Sequence, residues 1–429
     1  MATKVGFLRF SHSGSLRTSQ IGRNRGDEKK DKRDYDRGIT PRPGAPTMIS
    51  SKLVLSALAL CSLLPLGSLA NAQDSSQPFY IGTYTKGDSQ GIYLSSLNLE
   101  DGSLSQPVLA AELDNPSFLT INGDHTHLYA VGEVSNFKDK ASGAVSAFAI
   151  NEDGTLKLLN QEASGGRGPC HILLGPDEKT VLVANYGGGS FASLPVTEDG
   201  KLKPAASVMQ QVGSSIDKSR QQGPHAHGMY LVPGTKLALG VDLGVDKVMI
   251  YDVTDEGELK PHDPAFIEIK PGSGPRHLAT NQAGDKIYVL NEMASTVDVF
   301  EFDPQTGNSK HVQKLSTLPE DFDGSNTTAE IFLHPNGKWL YCSNRGHNSV
   351  AVFDVDQETG KLTFVEHVSS MGETPRSFQI APQGKHLLIA NQNSGNIVVY
   401  EINQENGTLK SNGHQIDVPD PCCIDFRFD

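Results

Sequence analysis

A small or turn residue followed by proline and then by two strand-like runs returns along this chain at nearly constant spacing. That recurrence limits the fold more than any other feature. NPSFLTINGDHTHLYAVGE begins the unit at Pro116, GPCHILLGPDEKTVLVANY at Pro169 and GPHAHGMYLVPGTKLALGVDL at Pro224. GPRHLATNQAGDKIYVLNE follows at Pro275, TAEIFLHPNGKWLYCSNR carries Ala329 in place of the proline, and TPRSFQIAPQGKHLLIANQ has Pro375. DPCCIDFRF, at Pro421, stops after one run. By subtraction the anchors lie 53, 55, 51, 54, 46 and 46 residues apart. The runs are rich in Val, Ile, Tyr and Phe and are bounded by Gly, Pro, Asn and Asp, the composition of short strands joined by tight turns. Between 274 and 307 three such runs follow one another directly.

A single meander of this kind cannot cover both of its faces, so the units must stack on one another. A period of about 40–50 residues built from four short strands is the size of one propeller blade. Seven anchors give seven blades. The last has only its first strand, whereas FYIGTYTKGDSQGIYLSSLNLEDGSL at 79–104 is a unit that lacks one. Joining the two fragments removes the exposed edges of an open sheet. The expected fold is therefore all-β, a seven-bladed β-propeller over residues 73–429, closed by pairing the C-terminal strand with the N-terminal blade.

The chain does not begin with this pattern. Residues 1–47 carry 11 Lys+Arg and 5 Asp+Glu without apolar periodicity, a composition that cannot bury a core and is expected to be disordered. Met48 to Lys52 then opens an apolar run, Leu53–Leu66, that ends in Ala70-Asn71-Ala72. A charged start, an apolar stretch and an Ala-x-Ala site make a secretory signal peptide over 48–72, too short for a membrane span. Because such peptides sit at a true N-terminus, translation is expected to start at Met48, with 1–47 a mis-called extension. The mature protein is expected in the periplasm or secreted, not inserted in the membrane. Without residues 1–72, Lys+Arg falls to 37 − 12 = 25 and Asp+Glu to 50 − 5 = 45, a net charge of −20. That excess speaks against nucleic acid or anionic membranes as partners. The oligomeric state is open. The four cysteines that remain, Cys170, Cys342, Cys422 and Cys423, show no metal or redox spacing and read as buried free thiols.

Stacking the units shows where chemistry can sit. The residue after each anchor opens the innermost strand and can face the central channel: Ser117, Cys170, His225, Arg276, Glu330, Arg376 and Cys422. A second column closes the next strand: Tyr84, Glu133, Tyr186, Leu243, Glu292, Arg345 and Gln392. A purely structural repeat would fill these places with small or apolar residues. Convergent Arg, Glu and His at one mouth instead make a site. Asp242, beside a Gly-Val-Asp-Leu-Gly bend, reads as a turn former.

These residues carry a resemblance. GSSIDKSRQQGPHAHG (213–228), GPRHLATN (274–281), YVLNE (288–292), LPEDFDGSNTTAEI (318–331) and YCSNRG (341–346) are similar to the seven-bladed lactonase family. That family is known for 6-phosphogluconolactonase and also includes fungal muconate-lactonizing cycloisomerases. The likeness runs from about Phe79 to the C-terminus. It implies a site made of Arg276, Glu292, Arg345 and the His of the His-Ala-His element, which maps to His225 or His227. Cytoplasmic sugar-metabolic members lack a signal peptide, so the departure here bears on whether the substrate is phosphorylated.

Hydrolysis of a sugar or other anionic lactone fits this inventory. It needs a base to activate water, donors for the oxyanion and a proton for the leaving alkoxide. Glu292 is the expected base, with Glu330 its rival, and Arg276 and Arg345 would hold the oxyanion or grip an anionic group. His225 or His227, two apart on a strand, would donate the proton. Arg376, Glu330 and His171 are assigned to substrate binding, although His171, like His277, also reads as a half-buried strand residue. No cofactor or metal is expected. His225-x-His227 with a carboxylate would be a weak metal pattern opposed by the neighbouring arginines. A non-enzymatic envelope propeller or a lactonizing cycloisomerase are the alternatives. The envelope reading requires Arg276, Glu292 and Arg345 to be scattered over outer blade faces.

Overall fold

The computed structural model describes residues 75–426, so the expectations for 1–47 and 48–72 lie outside the described residues. Twenty-eight strands, numbered β1–β28 in chain order, form seven four-stranded antiparallel sheets. Helix among the described residues amounts to one 3-10 turn, Pro382–Gly384. Six sheets run outward in chain order from β4 (Leu119–Ile121), β8 (Pro169–Leu174), β12 (Ala226–Leu231), β16 (Pro275–Thr280), β20 (Thr327–Leu333) and β24 (Pro375–Ile380). In the remaining sheet β28 (Pro421–Phe426) holds the same inner place. These seven strands neighbour one another in a closed cycle and surround the axis.

Closure occurs as the fragments imply. β28 pairs antiparallel with β1 (Ser76–Thr83), with Phe79 opposite Phe426 and Tyr80 opposite Asp425. The Phe79 and Phe426 rings lie 5.3 Å apart.

There is no single core. Seven apolar clusters lie one in each gap between adjacent blades. Strand alternation explains this, because successive side chains point to opposite faces. In β9 (Thr180–Asn185), Val181 and Val183 pack toward the preceding blade, while Leu182 and Ala184 pack toward the following one. A strand covered on both faces can be apolar throughout, which is why the sequence alternation is only partial. The gap that joins the ends of the chain buries Phe79, Ile81, Ile424 and Phe426 against Leu388, Ala390 and Val399. The four cysteines are free and buried. Cys422 Sγ faces the Gly82 carbonyl at 3.5 Å, and Cys423 packs into an inter-blade cluster.

Candidate active site

A backbone device repeated in the inner strands sets the site. The residue after each second strand donates its N–H to the carbonyl just before an inner-strand anchor. Tyr84 donates to Asp420, Glu133 to Asn115, Tyr186 to Gly168, Glu292 to Gly274 and Gln392 to Thr374. Leu243, however, donates to His225, which makes Ala226 the anchor of its blade rather than Pro224. Similarly Arg345 pairs with Thr327, so Thr328 and not Ala329 takes the proline's place. Immediately after the anchor the inner strand gains one residue over its partner, a β-bulge, at Cys170, His227, Arg276, Arg376 and Cys422. The bulge turns that side chain toward the axis.

Two expected placements change in consequence. His227, not His225, belongs with Arg276 in the inner column, and the pair does not face the same way. His227 is buried at the axis, whereas His225 stands at the rim, stacked on Tyr186 with ring centroids 4.5 Å apart. Glu330 moves one place along its strand, off the level of Arg276 and onto that of His277.

Glu292 is the centre of the upper cluster. Its Oε2 lies 3.2 Å from Arg276 Nε and 3.0 Å from Arg345 Nη2, and its Oε1 lies 2.7 Å from Arg220 Nη2. His227 Nε2 is 4.0 Å from Oε2. The arginines are braced in turn. Arg276 Nη1 donates to the Ala329 carbonyl, Arg345 Nη2 to the Thr328 carbonyl at 2.8 Å, and Arg220 Nη2 to Tyr186 Oη at 3.1 Å. The left-handed Gly274 (φ 62) presents its carbonyl to Glu292 N–H at 2.7 Å and its N–H to Asp246 at 2.7 Å. Burial pushes the Glu292 carboxyl up, but Arg345, Arg276 and Arg220 outweigh it and hold it at about 2. Burial brings Arg345 down to about 10, still charged at neutral pH. Burial, and next the Arg276 charge, keeps His227 well below the usual histidine range, so its imidazole is neutral. A neutral His227 does not match the expected proton donor, one that titrates near neutrality.

A second polar chain occupies the inner ends of the neighbouring blades. Arg376 Nη2 donates to Tyr84 Oη at 2.8 Å, Tyr84 Oη to Glu133 Oε2 at 2.7 Å, and Ser117 Oγ to the same oxygen at 2.5 Å. Arg376 thus faces the channel as expected, but it is not in contact with Glu292.

Glu330 and His171 lie on the far side of this layer. Each follows a bulge position, and strand alternation sends it toward the opposite mouth. Glu330 Oε1 lies 2.6 Å from His277 Nδ1, and His171 stacks on Phe118 at 4.2 Å. Both line a cavity of about 250 Å³ that all seven inner strands enclose, with Tyr230, Phe332 and Asp425. Neither reaches Glu292, so their assignment to the same substrate site is corrected. Arg276 Nη1 sits 3.3 and 3.2 Å from the two nitrogens of His277, which places it over the ring face rather than in a hydrogen bond. Asp242 is buried and accepts from the N–H groups of His225 and Gly244, a turn former as expected. Among the described residues no three His, Cys, Asp or Glu side chains are placed to hold a metal ion.

Arg220 is the member of this cluster that neither sequence column contains. It comes from the 211–225 connection, which has no strand period. The only available signal was the unusual length of that link between β11 (Ser207–Gln210) and β12. Gln221, fully buried, anchors it by donating to Leu243 O and Asp246 Oδ2, each at 2.8 Å. Asp217 Oδ1 accepts the N–H groups of Ser219 and Arg220 at 2.7 and 2.9 Å.

Four guanidiniums therefore face two carboxylates, Glu292 and Glu133, around the upper mouth. This cluster gathers Arg276, Glu292 and Arg345 at the axis instead of scattering them over outer blade faces, as the envelope reading requires. The family model described as "Lactonase, 7-bladed beta-propeller" matches residues 78–426, and the chain belongs to that family. It is a lactone-hydrolysing enzyme. It is 37% identical over 300 residues to a 6-phosphogluconolactonase of Bacillus subtilis (strain 168), covering 70% of this chain and 83% of that one. A 6-phosphogluconolactonase of Formosa agariphila is 33% identical over 312 residues, covering 70% and 85%. The solved structure of the Pseudomonas aeruginosa periplasmic gluconolactonase PpgL superposes with a TM-score of 0.77 at 32% identity, covering 82% of this chain and 99% of that one.

Proposed function

We propose that the upper mouth hydrolyses a sugar lactone carrying an anionic group, with Glu292 as base and Arg276 and Arg345 as oxyanion donors. The surplus of two positive charges there, in a chain of net charge −13, supports an anionic substrate. Glu292 takes a proton from water as the water oxygen attacks the lactone carbonyl carbon. The oxyanion that forms lies against the two arginines. Collapse restores the carbonyl and breaks the ring C–O bond, and the leaving alkoxide recovers the proton from Glu292. Water is added across the bond and nothing is oxidised or reduced. Neutral His227 lies beside Glu292, with Nε2 4.0 Å from Oε2. The observation that carries this reading is the Glu292 carboxylate held among Arg276, Arg345 and Arg220 at the axis. A pH-stat assay of residues 73–429 on sugar lactones tests it. Acid release well above the spontaneous rate is expected, and none on any lactone would refute it.

Export belongs to the same proposal. It is supported by the apolar run and Ala-x-Ala site at 48–72 and by the periplasmic location in the PpgL description. N-terminal sequencing of the envelope fraction should return Gln73, and a chain that retains Leu53–Leu66 would contradict it.

A further inference from the structure

Of the three guanidiniums on Glu292, Arg220 differs from the others in every respect that matters for movement. The Arg276 and Arg345 side chains are 3% and 15% exposed and are pinned to the Ala329 and Thr328 carbonyls. The Arg220 side chain is 38% exposed, and among the described residues its one other hydrogen bond goes to the Tyr186 hydroxyl. The two carboxylate oxygens also divide cleanly. Oε2 receives Arg276 and Arg345, while Oε1 receives Arg220 alone. Removing Arg220 would open one oxygen and leave the other held.

We propose that Arg220 is a latch that sets specificity: it caps Glu292 Oε1 until the anionic group of a lactone draws it away, and that exchange frees the base. This rests on the reading of Glu292 as the base of lactone hydrolysis. An arginine fork pairs with a carboxylate or a phosphate in the same geometry, so the guanidinium exchanges one anion for another and is never left unpaired. The loop need not move, because the Gln221 side chain ties it to Leu243 O and Asp246, and Asp217 accepts the Ser219 and Arg220 N–H groups. Only the long side chain turns.

The exchange answers a difficulty in the chemistry. A carboxylate gripped by three cations is a poor proton acceptor, and general bases work best near the operating pH. Glu292 is faced by Arg276 from β16, Arg345 from the end of β21 (Trp339–Arg345), Arg220 from the 211–225 loop and His227 from β12. Burial drives its proton affinity up and the arginines drive it down. Withdrawing one arginine shifts that balance toward a stronger base. A neutral lactone leaves the cap in place.

The test compares the parent with Arg220→Met on three substrates: 6-phosphoglucono-1,5-lactone, glucaro-1,4-lactone and neutral glucono-1,5-lactone. The parent should favour at least one anionic lactone, and which one distinguishes phosphate from carboxylate. Arg220→Met should lower kcat/KM for that lactone by about 10- to 100-fold. On the neutral lactone it should raise kcat, because the cap on Glu292 is gone, and the acid limb of its pH profile should move to higher pH. Loss of rate by the same factor on all three substrates, or an undiminished anion preference, would overturn the latch while leaving the lactonase reading intact. A parent inactive on every lactone would remove both. Arg220 is partly exposed, so equal melting temperatures are expected, and Arg220→Gln provides a second variant if they differ.

Discussion

His277 Nδ1 lies 2.6 Å from Glu330 Oε1, and this pair holds Glu330 on the side of the channel away from Glu292. The two glutamates that compete on paper for the role of base are thus divided by the layer that Arg276 and His277 build. Burial raises the Glu330 carboxyl to about 7, whereas Glu292 is held at about 2. Their pH signatures have opposite signs.

Glu330→Gln should accordingly keep lactonase activity within about 3-fold, since it touches neither substrate nor Glu292. The folded-state pKa of Glu330 is raised above its unfolded value. Its contribution to stability is therefore complete below about 4.5 and is lost as pH rises through about 7. Glutamine mimics the protonated form, so the variant should gain about 2–4 °C in Tm at pH 8.5 and nothing at pH 4. Equal shifts at both pH values would contradict the assignment.

Arg345→Lys keeps a cation near Glu292 but cannot both hold the Thr328 carbonyl and present a planar fork. The expected result is a fall in kcat of about 10- to 100-fold with KM changed less. Thermal melts serve as the control, and a variant with parental kcat would show that Arg345 is not an oxyanion donor.

Ring closure can be tested without the site. Phe426→Ala removes a buried ring from the gap that joins β28 and β1 to the last blade, and should cost about 3–5 kcal/mol. Deleting residues 420–429 should open the ring and abolish cooperative unfolding. A truncated chain that melts like the parent would count against closure.

Much of this was legible in the sequence because the fold is a repeat. Pro421 and the 79–104 unit declare complementary fragments, and Glu292 and Arg345 end their strands at equivalent positions, so a column finds them. The errors have one physical origin, the β-bulge. An inserted residue is invisible in a periodic count, and proline is an anchor only where the bulge follows it at once. Pro224 stands two residues early and Ala329 one residue late, so a count from them puts His225 and Glu330 in their neighbours' places. Tyr84 and Glu133 stood in the right column, but their role depends on Arg376 meeting them across the chain ends. Arg220 could not be placed by any column, because a loop anchored by Gln221 and Asp246 has no period.

The most direct test of the account is the rate of Glu292→Gln on the lactone that the parent hydrolyses best. Glutamine keeps the shape of the side chain but can accept no proton from water, and Glu330, beyond His277, cannot replace it. Turnover is expected to fall by about 10²- to 10⁴-fold with the fold retained. Parental turnover in the variant would contradict the account and would make another group the base.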